Sequence, residues 1–257
     1  MSENELLARC KELGPWYHNT PLPHGRSTCP IPGRFNPQLK WNRLAKILPA
    51  NMSGLTTLEV AASSAYYSTQ MARRGARAFA FDQYEHAVRQ ANFVAEQWDV
   101  RIDARQGSVY DLAPYRKTSF SFVLFLGILY HCRYPLLALD CLSRLHCHTL
   151  ILQTMTTNHH SRGFPELIDH NDPAFDKPNF PGCQFIEGTL RGDWSNWWKP
   201  NASAVEAMLR AAGFDEIQRI GPEWWTARGT DRQPNEQYQQ LARAELSRLP
   251  PIGQRPA

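Results

Sequence analysis

The sequence predicts an α/β protein, a mostly parallel sheet covered by helices on both faces and preceded by a segment of different rhythm. Three observations predict it. From Leu55 to Met155 short strand-like runs alternate with helix-length segments, the pattern of a parallel sheet. The stretch Thr57 to Asp82, TLEVAASSAYYSTQMARRGARAFAFD, runs strand, small-residue loop, helix and second apolar strand ending on an acid. An acid about 20 residues beyond such a loop is spaced to reach ribose hydroxyls, so this crossover has a nucleotide-cofactor layout. Third, 257 residues at 42% hydrophobic and 20% charged suit one elaborated globular domain, and no internal repeat is visible.

Taken in order, Glu5 to Leu13 reads as a short amphipathic helix, and Gly14 to Pro37 is rich in Pro, Gly and His. A helical pattern resumes from Leu39 to Leu48, so residues 1–50 read as an N-terminal cap. Strands are expected at Leu55 to Val60, Ala76 to Phe81, Arg101 to Gln106, Ser119 to Leu126 and Thr149 to Met155. Helices are expected at Tyr66 to Arg74, Glu85 to Gln97 and Leu136 to Leu145. The alternation then stops, and residues 156–200, with many prolines and aromatics, read as an insertion without strands or helices, of the kind that forms lids. A helix from Ala202 to Ala212 should stop at Gly213 in the left-handed conformation. Glu216 to Ile220 and Trp224 to Ala227 then read as an antiparallel pair at the sheet edge, closing a domain over residues 51–228. The tail, residues 229–257, is polar, with Tyr238, Leu241, Ala242 and Leu249 as one apolar stripe that docks on its own domain.

Composition narrows the functions. No apolar run reaches the roughly 20 residues of a membrane span, and the acids in MSENELLARCKELG do not suit a signal peptide, so a cytoplasmic protein without a membrane partner is expected. Six cysteines without a CxxC pair read as free thiols. A net charge of +4 with short clusters such as Arg73, Arg74 and Arg77 reads as solvated helix faces rather than a nucleic-acid footprint. No metal site is expected: His146 with Cys147 and His148, His159 with His160, and His18 with His24 and Cys29 lack the spacing of one metal's ligands. A Ser-His-Asp hydrolase is unsupported, since no GxSxG elbow occurs.

Five further stretches carry a family resemblance: LGPWYHN (Leu13 to Asn19), LKWNRL (Leu39 to Leu44), SVYDL (Ser108 to Leu112), FSFVLFLGILYHCRYPLLALDCL (Phe120 to Leu142) and NWWKPNASAVEAMLRAAGF (Asn196 to Phe214). In this order they resemble class I S-adenosylmethionine-dependent methyltransferases, and more narrowly the family of the tRNA wobble-uridine modifying methyltransferases. The resemblance implies a Rossmann-like fold with a seven-stranded, mostly parallel sheet, an antiparallel edge strand and S-adenosylmethionine as cofactor. It implies that Glu59 lies near the methionine moiety and that the loop of Ala61, Ser63 and Ala65 lies under it. Asp82, with Gln83 beside it, takes the ribose place; Ser108 and Val109 hold the adenine edge; Leu126 and Gly127 face the sulfonium. Tyr130 and His131 then serve the transferred group, and Tyr17, His18, Lys40 and Trp41 close the cap over the substrate.

The chain departs from the family where Ala61, Ala65 and Ala80 stand for glycines. Glycine allows positive φ and close approach to a ligand, so weaker cofactor binding is expected. A C-terminal arginine motif of the carboxymethyl-transferring members is not recognisable, which favours ordinary S-adenosylmethionine over a carboxylated cofactor.

Methyl transfer from a sulfonium is an in-line displacement that needs alignment and exclusion of water more than many catalytic groups. His131 either accepts the acceptor's proton or only hydrogen-bonds the loop. Trp194, Trp197 and Trp198, with Tyr17, His18 and Trp41, either stack a planar acceptor or anchor loops; adjacent Trp197 and Trp198 cannot share one role. The expected function is transfer of a methyl group to a small or medium planar acceptor. The alternatives are a tRNA nucleoside acceptor, a degenerate fold that binds or scaffolds without turnover, and non-methyl chemistry in a retained pocket.

Overall fold

A computed structural model gives the fold and describes residues 2–29, 35–157, 180–190 and 192–229. The chain divides into two compact units, Met1–Asp111 with Ser119–Leu124 and Leu112–Thr118 with Phe125–Ala257. Residues 1–50, read as an N-terminal cap, lie in the first unit.

The first unit opens with α1 (Glu3–Glu12), whose N-terminus is closed by a capping box: the Glu5 amide donates to Ser2 Oγ at 3.3 Å and the Ser2 amide to Glu5 Oε2 at 2.7 Å. Leu6, Cys10, Leu13, Trp16 and Leu22 bury against Phe93 and Val94 of α4 (Glu85–Gln97). Gln90 Nε2 fixes that docking by donating to the carbonyls of Leu13 and Pro15 at 2.7 and 3.0 Å. The N-terminal segment is therefore core material, since apolar burial of this kind drives folding. α2 (Gln38–Ile47) ends at Arg74, whose guanidinium donates to the carbonyls of Leu48 and Pro49 at 3.2 and 3.1 Å.

β1 (Thr56–Val60), α3 (Tyr66–Arg73), β2 (Arg77–Asp82), α4 and β3 (Asp103–Gln106) follow in order. β1 pairs in parallel with β2 and with β4 (Ser119–Leu126), Leu58 lying opposite Phe79 and Val123. Both faces of β1 and β2 are buried, as for strands covered on both sides of a parallel sheet, and the AFAF run of β2 accordingly shows no alternation.

The second unit contains α5 (Pro135–Ser143), β5 (His146–Gln153), β6 (Cys183–Phe185), β7 (Trp198–Pro200), α6 (Ala202–Ala211), β8 (Phe214–Gly221) and β9 (Trp224–Gly229). Asn201 caps α6 through the Ala204 amide at 2.8 Å, and Gly213 has φ 91°, the left-handed stop expected there. The sheet has seven strands in the order β3-β2-β1-β4-β5-β9-β8. It is the expected Rossmann-like arrangement. β9 is antiparallel to β5 and to β8, so the antiparallel strand lies one in from the edge.

Two expectations are corrected. The segment 156–200 is not without strands: β6 and β7 pair antiparallel, Phe185 opposite Trp198. Its prolines and glycines hid two strands of three residues each, too short to show periodicity. β5 starts earlier than Thr149, because Cys147 is buried between exposed His146 and His148 and acts as a small apolar residue in the alternation. Gly163, Pro165, His159, His160 and the apolar stripe of the tail lie outside the described residues.

Candidate functional site

In the first unit β1 delivers Glu59 and the loop 61–65, and β2 delivers Asp82. Ala61, Ser63 and Ala65 have φ of 51°, 51° and 49°, all in the left-handed region where a Cβ is costly. The backbone thus adopts the turn that glycines ordinarily supply, with alanine and serine in it. Hydrogen bonds hold it there: the Ala62 amide donates to Phe81 O at 2.8 Å, the Ser63 amide to Asp82 Oδ2 at 2.8 Å and the Ala65 amide to Ala62 O at 2.7 Å. Ser64 Oγ shares a buried 2.7 Å bond with Thr20 Oγ1, which ties the N-terminal segment to the loop.

The replaced glycines fall into two groups. Ala65 and Ala80 are 0% and 1% exposed and pack with Ala62 and Ala91 in one alanine cluster. Their methyls fill core. Ala61 is half-buried and outside that cluster.

Asp82 is 8% exposed; Oδ2 accepts from Ser63 and Oδ1 from the Tyr84 amide at 3.1 Å. Burial raises its carboxyl above the ordinary value, with the bonds from Tyr84 and Ser63 opposing. Glu59 Oε2 accepts from the Ser68 amide at 2.6 Å, in the first turn of α3, whose N-cap Ala65 has no side-chain acceptor to offer. Burial pushes the Glu59 carboxyl up to about 8 against those Ser68 bonds, so it is largely protonated at neutral pH. Gln83 is exposed and its carbonyl accepts from Gln106 Nε2 at 3.0 Å. Ser108 and Val109 are half-buried in a tight turn, in which the Asp111 amide donates to Ser108 O at 2.9 Å.

Tyr17, His18 and Lys40 gather around Phe35: Tyr17 to His18 is 4.8 Å between ring centres, His18 to Phe35 5.3 Å, and Lys40 Nζ lies 5.3 Å from the Phe35 ring. Burial and then Lys40 pull His18 down to about 4, which keeps it neutral. Trp41 departs from its expected substrate place. It is 7% exposed with the Arg74 guanidinium 4.8 Å over its ring, an anchor of α2.

In the second unit Leu126 ends β4 and Gly127 turns the chain at φ 79°, its amide donating to Gln153 O at 2.7 Å. A short 3-10 turn, Leu129–His131, follows and carries Tyr130 and His131, whose rings stand 4.3 Å apart. The Trp197 amide donates to Tyr130 O at 2.8 Å and clasps this turn to residues 193–197. His131 Nδ1 lies 2.9 Å from Ser195 Oγ and 3.1 Å from Ser195 O, and Ser195 Oγ donates to Asp193 Oδ1 at 2.6 Å. Sequence reasoning missed Asp193 and Ser195. Their only local signal is an acid two residues before a serine, the spacing of an Asx turn, which forms here with the Ser195 amide on Asp193 Oδ1 at 2.8 Å.

Trp197 carries the Arg133 guanidinium 4.7 Å over its ring, whereas Trp198 donates from Nε1 to Arg133 O at 3.1 Å and meets Phe185 at 5.1 Å. The two tryptophans have separate jobs. In this unit the buried oxygens Gln153 Oε1, Thr154 Oγ1, Thr157 Oγ1 and Asn196 Oδ1 have no hydrogen-bond partner among the described residues. Among the described residues no group of three or more His, Cys, Asp or Glu is placed to hold a metal ion. His146 and His148 share one strand face and Cys147 the other, so that trio cannot converge.

Residues 58–147 match a family model described as a methyltransferase domain. No curated protein is similar to the chain in sequence. The N-terminal domain of EvdMO1, solved in the presence of S-adenosylhomocysteine and D-fucose, is 21% identical with a TM-score of 0.64, covering 90% of this chain and 98% of that one. The same domain with S-adenosylhomocysteine bound gives 19% and 0.61, covering 90% and 98%. A protein of Listeria monocytogenes described as an S-adenosylmethionine dependent methyltransferase is 14% identical with a TM-score of 0.52, over 75% of this chain and 98% of that one.

Proposed function

We propose that this chain, which carries an S-adenosylmethionine-dependent methyltransferase domain on the matching Rossmann-like fold, methylates a hydroxyl of a small, ring-shaped, polyhydroxylated acceptor, with His131 as the base. The observation that carries the acceptor class is the set of orphaned oxygens of this unit, Gln153 Oε1, Thr154 Oγ1, Thr157 Oγ1 and Asn196 Oδ1. A buried polar atom left without a partner costs about 1–3 kcal/mol, and the hydroxyls of an acceptor are donors that would remove that cost. A neighbour of the same fold solved with D-fucose is in keeping with this class.

The residues present fit the cofactor. Asp82 spends one hydrogen bond on each carboxylate oxygen, and a carboxylate accepts about four, which leaves lone pairs for a ribose diol. Bound there, S-adenosylmethionine would supply the methyl group, its carbon–sulfur bond giving way with the pair left on sulfur, and an acceptor hydroxyl that received the methyl would have to give up its proton. His131 Nε2 takes that proton and later releases it to water. The free thiols, among them buried Cys132 and Cys141 and exposed Cys183, suit a reducing compartment, so we place the protein in the cytoplasm. Among the described residues no helix is long and apolar enough to cross a membrane.

Methyl-labelled S-adenosylmethionine tests this against three acceptor panels: hexoses and deoxyhexoses including D-fucose, planar phenols, and tRNA. Label in the saccharides, with acceptor KM raised by Gln153→Leu and Asn196→Leu, is the expected result. Label in phenols alone would restore the planar acceptor, and label in tRNA alone the wobble-uridine reading.

A further inference from the structure

We infer that Asp193 and Ser195 are positioning residues that lock His131 in the tautomer with its proton on Nδ1 and its lone pair on Nε2. This rests on the base role proposed for His131. A carbonyl oxygen only accepts, so the 3.1 Å approach of Nδ1 to Ser195 O puts the proton on Nδ1. The Ser195 hydroxyl sits 2.9 Å from the same nitrogen and turns its own hydrogen to Asp193 Oδ1 at 2.6 Å, so its oxygen also receives the Nδ1 proton. The donors run one way, from imidazole to hydroxyl to carboxylate.

The turn that holds this chain is over-determined. Asp193 and Leu190 exchange amide and carbonyl bonds of 3.1 Å, Asn196 Nδ2 donates to Asp193 O at 3.1 Å, and the Trp197 amide closes onto Tyr130 O. Burial would raise the Asp193 carboxyl, but the Ser195 hydroxyl and amide outweigh it and hold it below the ordinary carboxylate value. The carboxylate is therefore charged when Nε2 accepts a proton, and it faces the new imidazolium through one hydroxyl. Neutral imidazole with the opposite tautomer would offer Nε2–H to the acceptor and could not act as base.

The test is nitrogen-15 spectroscopy of labelled histidine in the full chain without ligands, beside steady-state kinetics of Asp193→Ala and Ser195→Ala. Wild-type His131 should show a protonated Nδ1 and an unprotonated Nε2. Both variants keep the Ser195 carbonyl on Nδ1 but lose the hydroxyl–carboxylate chain, so the share of the Nε2–H tautomer should rise above that of the wild type and kcat should fall about 10-fold or more while acceptor KM stays within about twofold. An unchanged tautomer in both overturns the inference; Ser195→Ala leaves the backbone turn intact and decides if Asp193→Ala does not fold. The tautomer is read without acceptor, so a locked tautomer that the variants release supports the relay even where no hydroxylated acceptor is methylated, the result that removes the base reading.

Discussion

The loop 61–65 of the first unit and the turn 193–197 of the second are each held in one shape, with different materials. In the loop, three non-glycine residues stand at positive φ and are restrained mainly by backbone amides and by methyls packed in an alanine cluster. In the turn, the restraint comes from polar side chains, Asp193, Ser195 and Asn196, bonded to one another and to His131. The loop stores backbone strain to shape a surface; the turn directs one proton. Changes in the loop should therefore move affinity and stability, and changes around the turn should move the rate.

The largest expected effect lies on the turn's side. His131→Ala should cost about 10²–10⁴ in kcat, the usual worth of general base catalysis, with S-adenosylhomocysteine affinity unchanged by calorimetry. A small loss of rate would reduce His131 to a loop anchor. On the loop's side, Asp82→Ala removes a hydrogen-bonded carboxylate worth about 1.5–3 kcal/mol, so cofactor affinity should fall about 10- to 100-fold. Unaltered affinity would end its ribose role.

A third effect is pH-dependent. Folding raises the Glu59 carboxyl from 4.5 to about 8, so the folded chain holds a proton that the unfolded chain has released across that window. Stability should then fall as pH rises from about 4.5 to 8, and Glu59→Gln should flatten that slope in denaturant titrations. The smallest effects separate the alanines. Ala61→Gly relieves a left-handed residue and should stabilise by about 1 kcal/mol. Ala65→Gly gains similar relief but loses a buried methyl worth about 0.8 kcal/mol, so its melting temperature should barely move. Equal gains at both positions would mean that the Ala65 methyl is not structural.

The fold was legible because its signals are local and periodic: apolar runs at β1, β2 and β4, helical spacing between them, and an acid closing the crossover. The places of Glu59 and Asp82 in the fold were legible for the same reason, each lying at or next to the end of a strand. What Ala65 and Ala80 do was not, because a methyl's direction depends on α4, which supplies Ala91 to the same cluster. Trp41 likewise took its place from Arg74, on a different helix turn 33 positions later. The relay at His131 was hidden most deeply, since Asp193 and Ser195 are 62 and 64 residues away in the chain and meet it only through tertiary structure. β6 and β7 escaped because three residues cannot display a period.

The central claim is that a loop built of alanine and serine, already held in the left-handed turn, still takes the cofactor. The direct measurement is the melting temperature of the full chain titrated with S-adenosylhomocysteine. At about 100 times its dissociation constant the ligand should stabilise the fold by about 2.7 kcal/mol, a rise that Asp82→Ala cuts to about 0.4–1.4 kcal/mol at the same concentration. An unchanged melting temperature at near-millimolar S-adenosylhomocysteine and S-adenosylmethionine would contradict the account.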